Sequence, residues 1–273
     1  MDDFAPLFVD IDLPEAVLLR DAPVLEISEP KVPKAAPTLH PNDADAIWYR
    51  GHGAAMTLSP EGGILAWTPE NGLGIAAHPA EPNEGHARLT PAGGIAYIRE
   101  VNGGFVVDAA VVEAEQFCCA VRLTSPEGQA RTLITLNPAG GDNYLFLSEK
   151  EGLLEWRDDA GSVEVTMPSP GPDMWVLAGY DHGRLSMTAA KTGAKVPASQ
   201  TSLTASASLA TALSGSSDLF IGCRSHRKGI LKTLGSSVIH DVLFWLDIAG
   251  TTPADLEKIT QACRFAEAQG DAS

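Results

Sequence analysis

The chain lacks any apolar run near the roughly 18 consecutive residues of a membrane-crossing helix, which argues against insertion in a bilayer. It also lacks basic charge: 19 Lys and Arg stand against 35 Asp and Glu in 273 residues, a net charge of −16. Phosphate backbones are held by clustered Lys and Arg, so nucleic acid is not expected as a main partner. Cysteine is scarce, with Cys118, Cys119, Cys223 and Cys263 only. They form no C-x-x-C pair and have no His at ligand spacing, so they fit no metal pattern. The opening MDDFAPLFVDIDLPEAVLLRD has no basic stretch ahead of its apolar part, unlike a secretory signal. Synthesis in the cytoplasm without a signal peptide is therefore expected, with four reduced thiols; a Cys223–Cys263 bridge remains the alternative for an extracellular protein. There is also no G-x-S-x-G elbow, no H-E-x-x-H helix and no phosphate-binding glycine loop.

The first 45 residues differ from the rest in composition. They contain Pro6, Pro14, Pro23, Pro30, Pro33, Pro37 and Pro41, with ten acids against three bases. Proline at this density interrupts helices and central strands and favours extended chain. Short apolar strings lie between the prolines: Leu7–Phe8–Val9, Val17–Leu18–Leu19 and Val24–Leu25. This composition admits two readings. One is a disordered tail; the other is an extended arm, residues 1–43, that lays its apolar strings into a larger protein assembly.

From Gln116 to Leu246 the sequence is a succession of short alternating segments: QFCCAVRLT, ARTLITL, NYLFLS, LLEWR, SVEVT, MWVLAGYDHGRLSMTA, SDLFIG and SVIHDVLFWLD. Most are separated by Gly, Pro, Asp or Asn, the pattern of an antiparallel sandwich. Cys119 falls in phase with Phe117, Val121 and Leu123 and reads as a small core residue. In MWVLAGYDHGRLSMTAA, Asp181–His182–Gly183 predicts a tight turn, with Trp175, Leu177, Leu185 and Met187 on one side and Trp175 as the sandwich's core tryptophan. In SVIHDVLFWLD, strict alternation groups Val238, His240, Val242, Phe244 and Leu246, and His240 reads as a hydrogen-bonded structural residue. The Ser- and Ala-rich residues 198–217 predict a long surface loop with room for one helical turn. Thr252, Pro253 and the acids after them predict a helix start, and Leu256, Ile259 and Cys263 give that helix an apolar stripe.

The order of these strands, with ILAWTPENGLGIAAHP ahead of them, resembles the laminin-G-like, concanavalin A-like jelly-roll family. The resemblance covers about three quarters of the chain and rests on apolar and Gly patterns. It implies an all-β, two-sheet antiparallel sandwich over residues 44–250, with the Pro-rich arm before it and a C-terminal helix over 251–273 packed upon it. It also implies carbohydrate binding. Glycanases of this group carry paired carboxylates on one strand, about 5–5.5 Å apart in the retaining class. The Glu-x-Asp-x-x-Glu pattern is absent. In the cluster Glu149, Glu151, Glu155, Asp158 and Asp159, only Glu155 falls within a predicted strand, so the chain is expected not to be an enzyme.

Several loops offer binding chemistry. CRSHRKGILK gathers Arg224, His226, Arg227, Lys228 and Lys232 in an otherwise acidic protein. This is either a solvated turn or a site for anionic groups such as uronic acids, sulfates or phosphates on a polysaccharide. GGDNY offers Asp142 and Asn143 as oxygen ligands for a metal, with calcium the candidate cofactor and Asp158–Asp159 as possible additions. Tyr144 and Trp156 serve either as stacking platforms for sugar rings or as core, and the turn adds Asp181 and His182. The expectation is a non-catalytic attachment protein that recognises cell-surface or capsular polysaccharide, in the layout of a spike or fibre on a phage-like particle. It would be homo-oligomeric, docked through residues 1–43 and extracellular after lysis. The alternatives are a purely structural appendage protein and, third, a glycan-active enzyme.

Overall fold

The computed structural model describes residues 46–270 except 71, 82, 84, 100, 114, 195–200, 203–205 and 226–234, with only the backbone of 201 and 202. The arm assigned to residues 1–43, and His226, Arg227 and Lys228, lie outside the described residues. In chain order the strands are β1 (Ile47–Arg50), β2 (Met56–Leu58), β3 (Ile64–Trp67), β4 (His78–Pro79), β5 (Arg88–Leu89), β6 (Ile95–Tyr97), β7 (Phe105–Val112), β8 (Gln116–Thr124), β9 (Arg131–Pro138) and β10 (Leu145–Lys150). There follow β11 (Leu153–Asp158), β12 (Glu164–Pro168), β13 (Asp173–Asp181), β14 (Arg184–Lys191), β15 (Thr201–Ser202), β16 (Ser216–Ile221) and β17 (Ser237–Trp245). Helix α1 (Ala207–Leu213) precedes β16, and helix α2 (Pro253–Gly270) follows β17. No described helix is long and apolar enough to cross a membrane.

One large sheet runs β15-β14-β13-β8-β17-β6-β5, with β1 also paired to β17; the second runs β12-β11-β10-β9-β16-β7-β4, and β2 and β3 form a separate two-stranded sheet. Every pairing is antiparallel. Strands adjacent in a sheet but distant in sequence, such as β8 with β17 and β9 with β16, make the crossovers of a jelly-roll sandwich. Side chains from both inner faces fill the main core, among them Trp67, Phe105, Phe117, Trp156, Tyr180 and Phe244. Phe117 stacks on both Tyr180 and Phe244, with ring centroids 5.0 and 5.5 Å away. Cys119 lies in this core as predicted, and all four cysteines are buried and unbridged.

Alternation on the first sheet builds a second core on its outer face. Trp48, Cys118, Ala120, Trp175, Leu177, Leu243 and Trp245 point outwards and are covered by Leu256, Ile259, Ala262, Cys263 and Ala266 of α2. Trp175 therefore packs under the helix and not between the sheets. The pairing of Tyr180 with Leu185 and Ala178 with Met187 places Leu185 and Met187 on the opposite, inner face. The helix begins with a reciprocal cap: Thr252 Oγ1 accepts from the Asp255 amide at 3.1 Å, and Asp255 Oδ2 accepts from the Thr252 amide at 3.4 Å. Gly179 of β13 has to be glycine, because a Cβ there would lie 2.1 Å from the Ala249 carbonyl oxygen.

Strand β17 departs from strict alternation. Its register against β8 slips between Ile239 and Asp241. Ile239 consequently joins Val242 and Phe244 in the main core, Asp241 turns to the helix side, and His240 is the inserted residue of a bulge.

Candidate functional site

On the outer face of the second sheet, the register of β9, β10 and β11 brings together residues that are far apart in sequence. Thr135 lies opposite Phe146, Thr132 opposite Ser148, and Ser148 opposite Glu155. Arg224, just past the end of β16, lays its guanidinium over the Phe146 ring with Cζ 4.0 Å from the centroid. Its Nε donates to Thr132 Oγ1 at 3.3 Å and its Nη1 to the Tyr144 hydroxyl at 3.4 Å. Arg157 approaches the same ring at 5.5 Å. A partly buried cation over an aromatic face gains roughly 1–2 kcal/mol, enough with the two hydrogen bonds to hold the guanidinium plane in place.

Beside this Arg224 platform lies a hollow of about 210 Å³ lined by Arg131, Thr132, Ser148, Glu149, Lys150, Glu155 and Arg224. Its lining combines bases, acids and hydroxyls. Ser148 donates to Glu155 at 3.5 Å, a long bond that a ligand hydroxyl can replace. Glu149 is fully buried; one carboxylate oxygen accepts from the Ser125 hydroxyl and the Ala130 amide, and the other has no hydrogen-bond partner among the described residues. Arg131 takes a left-handed backbone, φ 60°, an uncommon conformation for a side-chain-bearing residue. Burial and the Asp159 carboxylate raise the Tyr144 hydroxyl above its ordinary range, with Arg224 opposing. It is a neutral donor and acceptor at physiological pH.

Of the residues named from sequence, the fold thus brings Arg224 and Tyr144 together. Phe146, Thr132 and Ser148 were missed, and Glu155 was named only within the acid cluster, because no spacing in the sequence reports cross-strand register. Trp156 is not a stacking platform: it is fully buried between the sheets, with Nε1 donating to the Gly179 carbonyl at 2.9 Å.

Of the two residues assigned to a metal, Asp142 and Asn143, the second is already engaged. Asn143 spends its side chain inside the protein, donating to Asp158 at 2.9 Å and accepting from the Ala160 amide at 3.0 Å. Asp158 accepts from Asn143, the Ser162 hydroxyl and the Ser162 and Val163 amides. Burial pushes its carboxyl up, but these donors together pull it below the usual range. Hydrogen-bond donors thus occupy the side-chain oxygens of Asn143 and Asp158, and no group of three His, Cys, Asp or Glu suited to a metal occurs among the described residues. Asp181 and His182 occupy the β13–β14 turn, where His182 Nδ1 lies 2.7 Å from Asp181 and Nε2 3.9 Å from Glu115. The Asp181 hydrogen bond raises the His182 pKa. Among the described residues no hydrogen bond, ion pair or ring contact joins this turn to the Arg224 platform.

A second, larger recess of about 390 Å³ opens on the first sheet beside the end of α2. Its lining includes Arg50, His52, Gly53, Gly94, Arg122 and His240. Behind it, buried Asp241 accepts from Trp48 Nε1 at 2.8 Å and lies 2.6 Å from Arg122 Nε, an ion pair whose angles fall outside hydrogen-bond geometry. Burial raises the Asp241 pKa; Arg122, Trp48 and Arg50 oppose that rise.

No protein-family model and no curated protein matches this chain. Among solved structures, a GH54 α-L-arabinofuranosidase is similar over 75% of this chain and 51% of that one, with a TM-score of 0.52 at 10% identity. A Trypanosoma rangeli sialidase mutant displaying trans-sialidase activity is similar over 81% of this chain and 34% of that one, with a TM-score of 0.51 at 16% identity. Domains LG4-5 of the mouse laminin α1 chain match over 54% of this chain and 41% of that one, with a TM-score of 0.36 at 14% identity. At these identities the likeness is one of fold alone, an antiparallel jelly-roll sandwich. It spans about half the length of the arabinofuranosidase.

The expectation that the chain is not an enzyme is corrected by these matches, since the same fold occurs in glycoside hydrolases. The one-strand motif was also too narrow a test. Glu149 and Asp158 lie in β10 and β11 beside Glu155, not in turns, and adjacent strands can bring acids together from separate segments.

Proposed function

We propose that this chain binds carbohydrate in the hollow beside Arg224 on the outer face of the second sheet. The observation that carries the reading is the Arg224 guanidinium, held flat on Phe146 and tied to Tyr144 and Thr132, next to Glu155 and Ser148. Fixed donors and acceptors at the edge of a hollow suit the adjacent hydroxyls of a sugar, one donating to Glu155 and its neighbour accepting from Arg224. The sandwich fold, shared with an arabinofuranosidase and a sialidase, supports this reading. A glycan-active enzyme is a second reading, favoured by the fold shared with the arabinofuranosidase and the sialidase.

The ligand class is a cell-surface or capsular polysaccharide. Residues 1–43 would fasten the protein to a phage-like particle, as their proline-rich sequence with spaced apolar strings suggests, and several copies would present the sandwich outside the cell after lysis. The test is binding of the full chain to a panel of bacterial polysaccharides by biolayer interferometry. Arg224→Ala is expected to weaken binding roughly tenfold, the worth of one charged hydrogen bond. Saturable binding that Arg224→Ala leaves unchanged removes this face from the site.

A further inference from the structure

The recess beside α2 is independent of the Arg224 face. Its chemistry is set by how two of its residues are already engaged. Arg122 projects outwards from β8 and is largely shielded, its side chain 13% exposed. Asp241 occupies its Nε edge at 2.6 Å, while Nη1 and Nη2 donate no hydrogen bond among the described residues. These two nitrogens border Gly270, where a Cβ would lie 2.7 Å from Nη2 and 3.1 Å from Nη1. The open edge of a guanidinium presents two parallel N–H groups, the complement of a planar carboxylate.

The second residue, His240, is the bulge residue of β17. Thr124 Oγ1 donates to Asp173 Oδ1 at 2.7 Å, which commits its proton. The 2.9 Å contact between Thr124 Oγ1 and His240 Nε2 must then run from an Nε2–H to the hydroxyl oxygen. That leaves Nδ1 as a lone-pair acceptor. It lies against Gly94, where a Cβ would be 2.7 Å away, so glycine alone leaves the ring its space. The imidazole is neutral at physiological pH, since burial and the Arg122 charge hold its pKa at about 4. The other nearby charges are matched or solvated: Arg50 pairs with Glu70 at 3.6 Å and donates to the Gln269 carbonyl at 2.6 Å.

The wall of the recess thus offers one planar cationic edge and one neutral acceptor, between the small residues Gly51, Gly53, Gly93 and Gly94 and the apolar Leu89, Pro91 and Ala92. A volume of about 390 Å³ is within the range of small-molecule sites. We infer that this recess is a second binding site, for a small hydroxylated carboxylate such as a sugar acid, with its carboxylate on the Arg122 Nη edge and a hydroxyl donating to His240 Nδ1. A phosphate dianion fits worse, because only one cation is open and Asp241 stands behind it.

The probe is D-glucuronate, titrated calorimetrically into the full chain at neutral pH, with D-glucose and inorganic phosphate as parallel arms. Glucuronate is expected to bind saturably and glucose not to bind. Arg122→Gln should weaken glucuronate by roughly tenfold to a hundredfold, the range for a charged hydrogen-bonded pair. Because that change also strips Asp241 of its counter-charge, Gly53→Phe provides an independent test. A Cβ on Gly53 meets only Leu89 Cδ1 at 3.8 Å, so the ring can occupy the recess without backbone strain, and glucuronate binding should disappear. Arg224→Ala should leave it unchanged, which separates this site from the polysaccharide face. The inference is overturned if glucuronate does not bind, if glucose binds equally, if phosphate binds more tightly, or if Gly53→Phe has no effect.

Discussion

Replacing Asp241 by Leu tests whether the buried polar knot under α2 is a structural keystone. Asp241 is fully buried, accepts from Trp48 Nε1 and faces Arg122 Nε. The substitution leaves the Trp48 N–H without an acceptor, at about 1–3 kcal/mol, and strips Arg122 of its counter-charge. Breaking one half of a buried pair usually costs about 3–5 kcal/mol. Arg122 borders an open recess, so water can reach part of its charge, and the expected total is about 3 kcal/mol, the low end of that range. With a urea slope of about 2–3 kcal/mol per molar, the unfolding midpoint falls by about 1–1.5 M. The paired change Asp241→Leu with Arg122→Met removes both charges and should lose less than the single change, giving a coupling of about 1–2 kcal/mol in a double-mutant cycle. A single variant within about 0.5 kcal/mol of the parent, or a double variant as unstable as the sum of its singles, would refute the reasoning.

The same geometry yields further expected outcomes. The folded His240 imidazole titrates at about 4 against 6.5 for the free group, so its share of stability is present above pH 6.5 and is lost as pH falls towards 4. That is about 3 kcal/mol in full and about 1–2 after screening at a partly exposed ring. Chemical denaturation from pH 7 to 4 should show this loss in the parent and not in His240→Gln, while the opposing titration of Asp241 is common to both and cancels. Gly179→Ala forces a methyl into the Ala249 carbonyl and should lower stability by about 3 kcal/mol or more, read as a drop in thermal midpoint. Thr252→Ala removes the α2 cap and should cost about 1 kcal/mol; an unchanged midpoint would mean that the helix start is held by packing alone.

Side-chain periodicity made much of the architecture legible. Cys119 in phase with Phe117, Val121 and Leu123, the turn at Asp181–His182–Gly183, and the Thr252–Pro253 helix start are local patterns, and local sterics and hydrogen bonding suffice to produce them. Strict alternation failed at His240, because one inserted residue in β17 reverses which neighbours face inwards, and a bulge depends on the partner strand β8. It failed differently at Trp175. A residue turned outwards on a strand reads as buried whether it is covered by a second sheet or by a helix attached much further along the chain.

The sites divide along the same line. Arg224 and Tyr144 stood out as residue types, yet their meeting over Phe146, and the presence of Thr132, Ser148 and Glu155, come from the register of β9, β10 and β11. Asn143 and Asp158 had the chemistry of metal ligands, and a hydrogen bond between residues fifteen apart in the chain consumed it. By itself the sequence determined the strand pattern, the acidic balance and the distinct character of residues 1–43, because composition and period-two alternation are properties of the chain. Tertiary structure alone decided which acids, bases and hydroxyls became neighbours, because cross-strand pairing and the packing of α2 join residues that no local interaction connects.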